Sequence, residues 1–154
     1  MNAGSLASAE IAIREASEGD CKALTELMLR SRAYQGRYHS IIADYPVTPA
    51  MAREGGLWLV KRDAMIVGFY RLDLANAELD LMFVDDAAQG SGIGKSLIAH
   101  LRNFAAKRGL AAVRIVSHPP SVDFYRRMGA VDVGISKAKS ADGWDRPILE
   151  LTVR

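Results

Sequence analysis

A glycine-rich run at Gln89–Lys95, with the sequence QGSGIGK, has the clearest chemical meaning in the chain. It stands between a strand-like segment and a helix-like segment. Glycines let the backbone turn tightly and bring its N–H groups against a ligand. The start of the helix adds unpaired N–H groups and the positive end of the helix dipole. This combination favours the binding of a phosphate or pyrophosphate group.

The spacing of the glycines separates three known kinds of phosphate-binding loop. A Walker A loop requires a glycine five residues before Gly94, where this chain has Gln89, and a dinucleotide fingerprint requires a glycine where it has Lys95. The third pattern, Gln/Arg-x-x-Gly-x-Gly/Ala, is met in full by Gln89, Gly92 and Gly94. A glycine-rich bend without a ligand is the alternative, but three glycines in five residues cost chain entropy unless a ligand approaches closely.

Two carboxylates precede this loop on the same strand. Glu78 and Asp80 lie two residues apart and therefore share one face, while Leu79, Leu81 and Phe83 share the other. Neighbouring carboxylates raise each other's pKa or relay a proton through a water molecule, and both arrangements suit a general base. The alternative is the solvent-facing polar side of an amphipathic strand.

The elements that carry these residues are read from the periodicity of apolar side chains. Strand-like segments begin at Ile11, Leu57, Met65, Glu78, Ala112, Val131 and Ile148. Helical spacing predicts one helix from about Glu18 to Ala33, begun by a box of Ser17 and Asp20, and a second from Ser91 to Arg108. A brief helix opens at Pro119 and ends before Gly129. Residues 34–56 are aromatic and irregular, which suits a loop or short helices.

Length and composition set the class of protein. The 154 residues predict a leader at residues 1–9 followed by a single domain at 10–154, and the formal net charge of +2 argues against a nucleic-acid or membrane-surface binder. No apolar stretch reaches the roughly 18 residues of a membrane span. A single cysteine fits a reducing compartment, so a cytoplasmic location is expected. The three histidines are scattered, and no metal site is expected.

The chain resembles the GNAT superfamily of acyl-CoA-dependent N-acetyltransferases. The run Val84–Gly94 is similar to that family's strand, connection and pyrophosphate loop, and Phe124–Ala130 is similar to its Phe-Tyr-x-x-x-Gly-Phe segment. The resemblance is strong between Glu78 and Ala130. Three positions depart from the family pattern: His118 replaces a common asparagine, Ser121 a small residue such as alanine, and Ala130 a common phenylalanine.

The resemblance implies a fold and a reaction. The expected fold is α/β, with a mixed, mostly antiparallel sheet of six to seven strands, about four flanking helices and central strands splayed at the cofactor. The expected reaction is direct transfer of acetyl from acetyl-CoA to a primary amine of a small molecule or peptide, without a metal. A homodimer is left open. A non-catalytic acyl-CoA sensor and a P-loop nucleotide hydrolase are the rival interpretations.

The resemblance also assigns roles to single residues. Tyr125 takes the position of the family's general acid, and Glu78, with Asp80 beside it, matches the register of a catalytic glutamate. The segment after the first helix is expected to bind the acceptor, through Tyr34, Tyr38 and His39. The expected cofactor-binding residues are Phe83, Val84, Gln89, Gly90, Ser91, Gly92, Ile93, Gly94, Lys95, Ser121 and Phe124.

Overall fold

The computed structural model describes residues 10–141 and 143–153, so the predicted leader at residues 1–9 lies outside the described residues. Seven strands form one sheet. They are β1 Ile11–Glu15, β2 Leu57–Arg62, β3 Met65–Asp73, β4 Glu78–Val84, β5 Ala112–Val116, β6 Val131–Ser136 and β7 Arg146–Thr152. The predicted strands are therefore all present, and they begin where predicted except for β7, which begins two residues earlier, at Arg146.

Five α-helices accompany the described strands. They are α1 Cys21–Leu29, α2 His39–Ala43, α3 Pro49–Glu54, α4 Ile93–Lys107 and α5 Val122–Arg127. The short helices α2 and α3 lie in the segment that the sequence predicts to be irregular. No helix among residues 10–141 and 143–153 is long and apolar enough to cross a membrane.

The first helix ends four residues earlier than its periodicity predicts. The predicted box is present, since the Ser17 N–H donates to the Asp20 carboxylate at 2.8 Å, but it begins a 3₁₀ turn before α1. At the other end, the Gln35 side-chain amide donates to the carbonyls of Leu29 and Ser31, each at 2.9 Å. These bonds satisfy carbonyls that a longer helix would have paired internally. The helix therefore stops at Leu29 because a side chain caps it.

The sheet is mixed and mostly antiparallel, as expected. Its strand order is β1-β2-β3-β4-β5-β7-β6. The pair β4–β5 is parallel, with Glu78 opposite Arg114, while β1–β2, β5–β7 and β6–β7 are antiparallel. The long helix α4 connects β4 to β5, since two parallel strands need a crossover connection. The splaying of the central strands at the cofactor stays a prediction.

The hairpin between β2 and β3 closes with two residues, Asp63 and Ala64. Both have left-handed backbones, with φ of 51° and 71°. Two consecutive residues with positive φ make the turn whose twist matches that of the flanking strands. The turn also sets the position of Arg62, the last residue of β2, relative to β3.

The chain divides into two compact units. The first comprises the described residues up to Tyr70 together with Met82–Gly94, and the second comprises Arg71–Leu81 and the described residues from Lys95 onward. Each unit has its own fully buried apolar side chains. In the first they include Leu24, Met28, Leu57, Leu59 and Phe69, and in the second Leu72, Leu97, Leu101, Val113 and Leu149.

Candidate active site

The glycine loop in the first unit turns through two left-handed residues. Gly90 has φ of 80° and Gly92 has φ of 85°, a region that costs other residues roughly 1–2 kcal/mol. A Cβ at either position would meet no atom within 4 Å. Backbone conformation, and not lack of space, therefore explains these glycines. The surface beside the loop is open to a ligand.

Hydrogen bonds hold the first half of the loop and the residues that lead into it. The Asp85 N–H donates to the Val67 carbonyl at 2.8 Å, which ties the end of β4 to β3. The Gln89 side-chain amide donates to the Val84 carbonyl at 3.3 Å, and the Ser91 hydroxyl donates to the Ala88 carbonyl. The first residue of the Gln-x-x-Gly-x-Gly pattern thus braces the loop against the strand that precedes it.

Two aspartates fasten the same loop to the segment that follows α1. Arg30 Nη2 lies 2.9 Å from Asp85 Oδ2, and the Arg32 N–H donates to Asp86 Oδ2 at 3.0 Å. The Arg30 guanidinium lowers the pKa of Asp85 from its ordinary value. Neither contact is predictable from the sequence, because nothing in the local pattern of the aspartates shows that partners 55 and 54 residues away are near.

The three residues expected to bind an acceptor differ in their surroundings. The buried ring of Tyr34 packs on Phe83, with centroids 5.2 Å apart. Tyr38 is half-buried, and the Arg37 guanidinium lies 5.1 Å from its ring centroid. His39 is also half-buried and begins α2. The structure thus places Tyr34 against Phe83 of β4, which makes it part of the packing of this unit.

Arg62 is a charged residue at the loop that sequence reasoning did not find. Its Nη1 lies 3.3 Å from the Ser91 Oγ, although the two residues are 29 positions apart. A lone arginine at the end of a strand carries no local signal, because only the pairing of the strands places it beside the loop.

The two carboxylates of β4 lie in the second unit and share one face, as predicted. Leu79 and Leu81 on the opposite face are buried. Each carboxylate faces an arginine, since Asp80 Oδ2 lies 2.7 Å from Arg71 Nη1 and Glu78 Oε1 lies 3.6 Å from Arg114 Nη1. Each of the two carboxylates therefore has its own arginine nearby to compensate its charge. Register explains one contact directly, because Glu78 is the residue opposite Arg114.

His118 follows β5 in the second unit and is half-buried. Burial lowers the pKa of His118 to about 4, and the nearby Arg146 charge acts in the same direction, whereas Asp80 opposes it. The imidazole is therefore neutral at pH 7. A neutral, half-buried ring here takes the place of the asparagine that is common in the family.

Tyr125 is buried on α5, with 6% of its surface exposed. Its ring meets Phe124 edge to face, with centroids 5.4 Å apart. The brief helix predicted from Pro119 begins as a 3₁₀ turn at Pro119–Ser121 and continues as α5. Beyond its end, Arg102 of α4 donates to the Met128 carbonyl at 3.1 Å and to the Thr152 carbonyl at 3.2 Å. These bonds fix the end of α5 to α4 and β7.

Each unit therefore gathers part of the predicted set. The first unit holds the loop from Gln89 to Gly94 with Phe83, Val84 and Tyr34. The second holds Glu78, Asp80, Ser121, Phe124 and Tyr125, together with the exposed Lys95 in the first turn of α4. Within the part of the chain that the structure describes, no group of three or more His, Cys, Asp or Glu side chains is arranged to hold a metal ion.

Comparison with known proteins identifies the family. The model of the acetyltransferase (GNAT) domain matches residues 21–144. The chain is 30% identical over 122 residues to the peptidyl-lysine N-acetyltransferase YjaB of Salmonella typhimurium strain LT2, which covers 79% of this chain and 77% of that protein. The chain therefore belongs to the GNAT acetyltransferase family, and it is an acetyl-CoA-dependent acyltransferase. The resemblance seen in the sequence is confirmed.

Solved structures share the fold. A GCN5-related N-acetyltransferase from Rhodopseudomonas palustris has a TM-score of 0.74 at 18% identity, covering 94% of this chain and 98% of that one. The PaiA N-acetyltransferase from Thermoplasma acidophilum, solved in complex with coenzyme A, has a TM-score of 0.71 at 19% identity, covering 93% and 99%. The α/β fold with a mostly antiparallel seven-stranded sheet is therefore that of the family.

Proposed function

We propose that this enzyme transfers an acetyl group from acetyl-CoA to a primary amine of a small molecule or peptide by direct attack. The observation that carries the proposal is the braced glycine loop at the start of α4, in a chain that belongs to the GNAT family. The coenzyme A complex of PaiA and the name of the YjaB relative support the donor and the kind of acceptor. Acetyl-CoA supplies the thioester that makes the acetyl carbon electrophilic.

The loop binds the cofactor mainly through its backbone. The N–H groups from Gly90 to Lys95 receive the pyrophosphate, since the first N–H groups of a helix have no intrahelical partner. The Gln89 N–H is not among them, because it donates to the Asp86 carbonyl at 3.2 Å. The backbone of Phe83 and Val84 pairs with the pantetheine arm. Ser121 and Phe124 contribute further contacts to the cofactor. Because main-chain groups do most of the binding, removing the Ser91 or Lys95 side chain weakens affinity less than placing a side chain at Gly92.

The reaction needs one base and one acid. The amine nitrogen attacks the acetyl carbon, the carbon–sulfur bond breaks, the nitrogen gives up a proton and the coenzyme A thiolate takes one. Tyr125 is the proposed acid, because a neutral phenol retains a donor proton at pH 7.

Glu78 is the proposed base. A carboxylate accepts a proton more readily when no guanidinium holds it, and Glu78 is 3.6 Å from its arginine whereas Asp80 is 2.7 Å from its own. Asp80 is proposed to hold Arg71 and to keep the negative charge near the base. The acceptor binds through Tyr34, Tyr38 and His39, of which the two half-buried residues offer the more accessible rings.

Release of free coenzyme A tests the proposal. Purified enzyme is mixed with acetyl-CoA and a panel of amines: polyamines, amino acids, aromatic amines and lysine-containing peptides. Thiol formation is followed by a colorimetric reagent, and the acetylated amine is identified by mass spectrometry. We expect thiol release that requires both the enzyme and one class of amine. Tight binding of acetyl-CoA without release in any arm would instead establish the non-catalytic sensor.

A further inference from the structure

We propose that Arg62 binds a phosphate group of acetyl-CoA, as a side-chain contact added to the backbone contacts of the glycine loop. This inference rests on the proposed function, because it concerns the same cofactor. It assigns a binding role to a residue on β2, a strand that is two places away from β4 in the sheet.

Arg62 lies close to the glycine loop, although it belongs to a different strand. The two-residue turn after Arg62 reverses the chain into β3, and β3 holds the start of the loop through the Val67 carbonyl. The guanidinium reaches Ser91, the residue between the two left-handed glycines, at 3.3 Å. The Ser91 hydroxyl donates its proton to Ala88, so its oxygen is oriented as an acceptor for Arg62. The guanidinium therefore lies beside the loop, at the residue between its two left-handed glycines.

The charge of Arg62 differs from that of most other arginines in its surroundings. Within the described residues, no carboxylate lies within 4 Å of its guanidinium, whereas most other arginines that make close contacts here are ion-paired. Those with a carboxylate partner are Arg14, Arg30, Arg32, Arg53, Arg71, Arg114 and Arg126. A half-buried cation without a counter-charge raises the electrostatic potential where the loop presents its N–H groups.

The guanidinium group has donors suited to a phosphate. Arginine presents five N–H donors in a planar fork, and Ser91 engages one nitrogen of that fork. The other donors are available for two oxygens of one phosphate, the geometry in which arginine binds phosphate most strongly. Acetyl-CoA offers a pyrophosphate and a 3′-phosphate. The Arg62 guanidinium can reach either kind of phosphate in this proposal, and the experiment distinguishes between them.

The test measures binding of coenzyme A by calorimetry, without turnover. Arg62→Gln is compared with wild type, and Lys61→Gln is the matched control, because it removes the same charge from the neighbouring residue on the other face of β2. We expect Arg62→Gln to raise the Kd roughly 10-fold or more, in line with a lost charge-assisted contact, and Lys61→Gln to change it less than about twofold. Wild-type affinity in Arg62→Gln, or an equal loss in Lys61→Gln, would overturn the inference.

Dephospho-coenzyme A separates the two phosphates. If Arg62 binds the 3′-phosphate, wild type and Arg62→Gln bind this analogue equally; if it binds the pyrophosphate, the loss persists. Arg62→Lys keeps the charge but not the fork, so its Kd is expected to lie between the other two, and it decides the question if Arg62→Gln does not fold. Absence of coenzyme A binding by the wild type contradicts the proposed function itself, a result distinct from an effectless Arg62 variant.

Discussion

At the scale of single residues, the two carboxylates on β4 are distinguished by the arginines that face them. The Arg71–Asp80 pair is short and only 12% and 20% exposed, whereas Glu78 and Arg114 are farther apart and 29% and 54% exposed. Removing one partner of a poorly exposed pair leaves the other charge uncompensated. The two carboxylates should therefore respond differently to neutralisation.

Glu78→Gln is expected to lower kcat/KM at least roughly 10-fold while the free energy of unfolding stays within about 0.5 kcal/mol of wild type. Asp80→Asn is expected to lose about 1–3 kcal/mol of stability, because the charged contact of Arg71 with Asp80 at 2.7 Å is lost. Urea denaturation and a pH–rate profile of both variants give the two quantities. Unchanged kinetics in Glu78→Gln across the profile would remove Glu78 as the base.

Tyr125→Phe is expected to reduce turnover by roughly 10- to 1,000-fold, because the variant has no proton to give to the departing thiolate. Acetyl-CoA affinity should stay nearly unchanged, since the ring and its contact with Phe124 are retained. Steady-state kinetics and calorimetry measure the two effects. Wild-type turnover in Tyr125→Phe would exclude it from the mechanism.

His118 is expected to make stability depend on pH. Its folded pKa of about 4 lies below the ordinary value of 6.5, so folding favours the neutral ring. The contribution to stability is therefore complete above pH 6.5 and is lost as the pH falls towards 4, by up to about 3 kcal/mol. His118→Asn lacks this titration. The difference in unfolding free energy between wild type and variant should shrink across that range, whereas parallel curves would show that His118 titrates normally.

The sequence was sufficient to single out Glu78, Asp80 and Tyr125 but not their surroundings. Side chains alternate along a strand, so Glu78 and Asp80 lie on one face, and the Phe-Tyr-x-x-x-Gly segment identifies Tyr125. The partners Arg71 and Arg114 lie on other strands, and only strand pairing and register determine which arginine meets which carboxylate. Arg62 was missed for the same reason.

At the scale of elements, the end of α5 depends on a glycine and an arginine. Gly129 has φ of 99°, and a Cβ there would lie 3.3 Å from Arg102 Nη2. That nitrogen is the one that donates to the Met128 carbonyl. The backbone turn and the anchoring bond therefore occupy the same small space, which ties the helix that carries Tyr125 to α4.

Gly129→Ala should therefore cost more than Gly109→Ala. Gly109 ends α4 with φ of 78° and has no neighbour within 4 Å of a built Cβ. Its replacement is expected to cost about 1 kcal/mol from backbone strain alone. Gly129→Ala adds displacement of Arg102, for about 1 kcal/mol more, and should also slow turnover. Urea denaturation and steady-state assays of both variants check this. Equal losses would mean that Arg102 moves aside without consequence.

The elements were predicted best where periodicity and stop signals agree. The long helix was predicted at Ser91–Arg108 and occurs at Ile93–Lys107, because its apolar stripe is sustained and Gly109 ends it. The first helix was predicted too long, since the cap that stops it comes from the Gln35 side chain. The short helices at His39–Ala43 and Pro49–Glu54 have too few turns to give a period.

At the scale of the whole molecule, the family and the sheet were predictable from the sequence, and the division of the chain into two units was not. The glycine pattern and the Phe-Tyr segment lie in order on a strand–helix–strand–helix stretch, which is enough to indicate a known topology. Strand order follows from that topology. The division at Tyr70 and Leu81, in the middle of two strands, has no signal in composition or turn residues.

Acetyl-CoA is expected to stabilise the folded chain, and ATP with magnesium is not. A ligand at 100 times its Kd adds about 2.7 kcal/mol, which corresponds to roughly 5–10 °C in Tm for a chain of this length. Differential scanning fluorimetry with each ligand makes the comparison. A shift with ATP and magnesium alone would favour the nucleotide hydrolase, which the glycine spacing argues against.

The single cysteine has a consequence for following the enzyme at work. Cys21 begins α1 with 4% of its surface exposed, and burial, with Asp20 and Glu18 nearby, raises the pKa of its thiol. A disulfide reagent therefore reacts at once with released coenzyme A but with Cys21 only when α1 opens. The amplitude of the fast labelling phase measures the coenzyme A released, and the rate of the slow phase measures local unfolding of α1. One labelling experiment therefore reports both catalysis and the stability of the first helix.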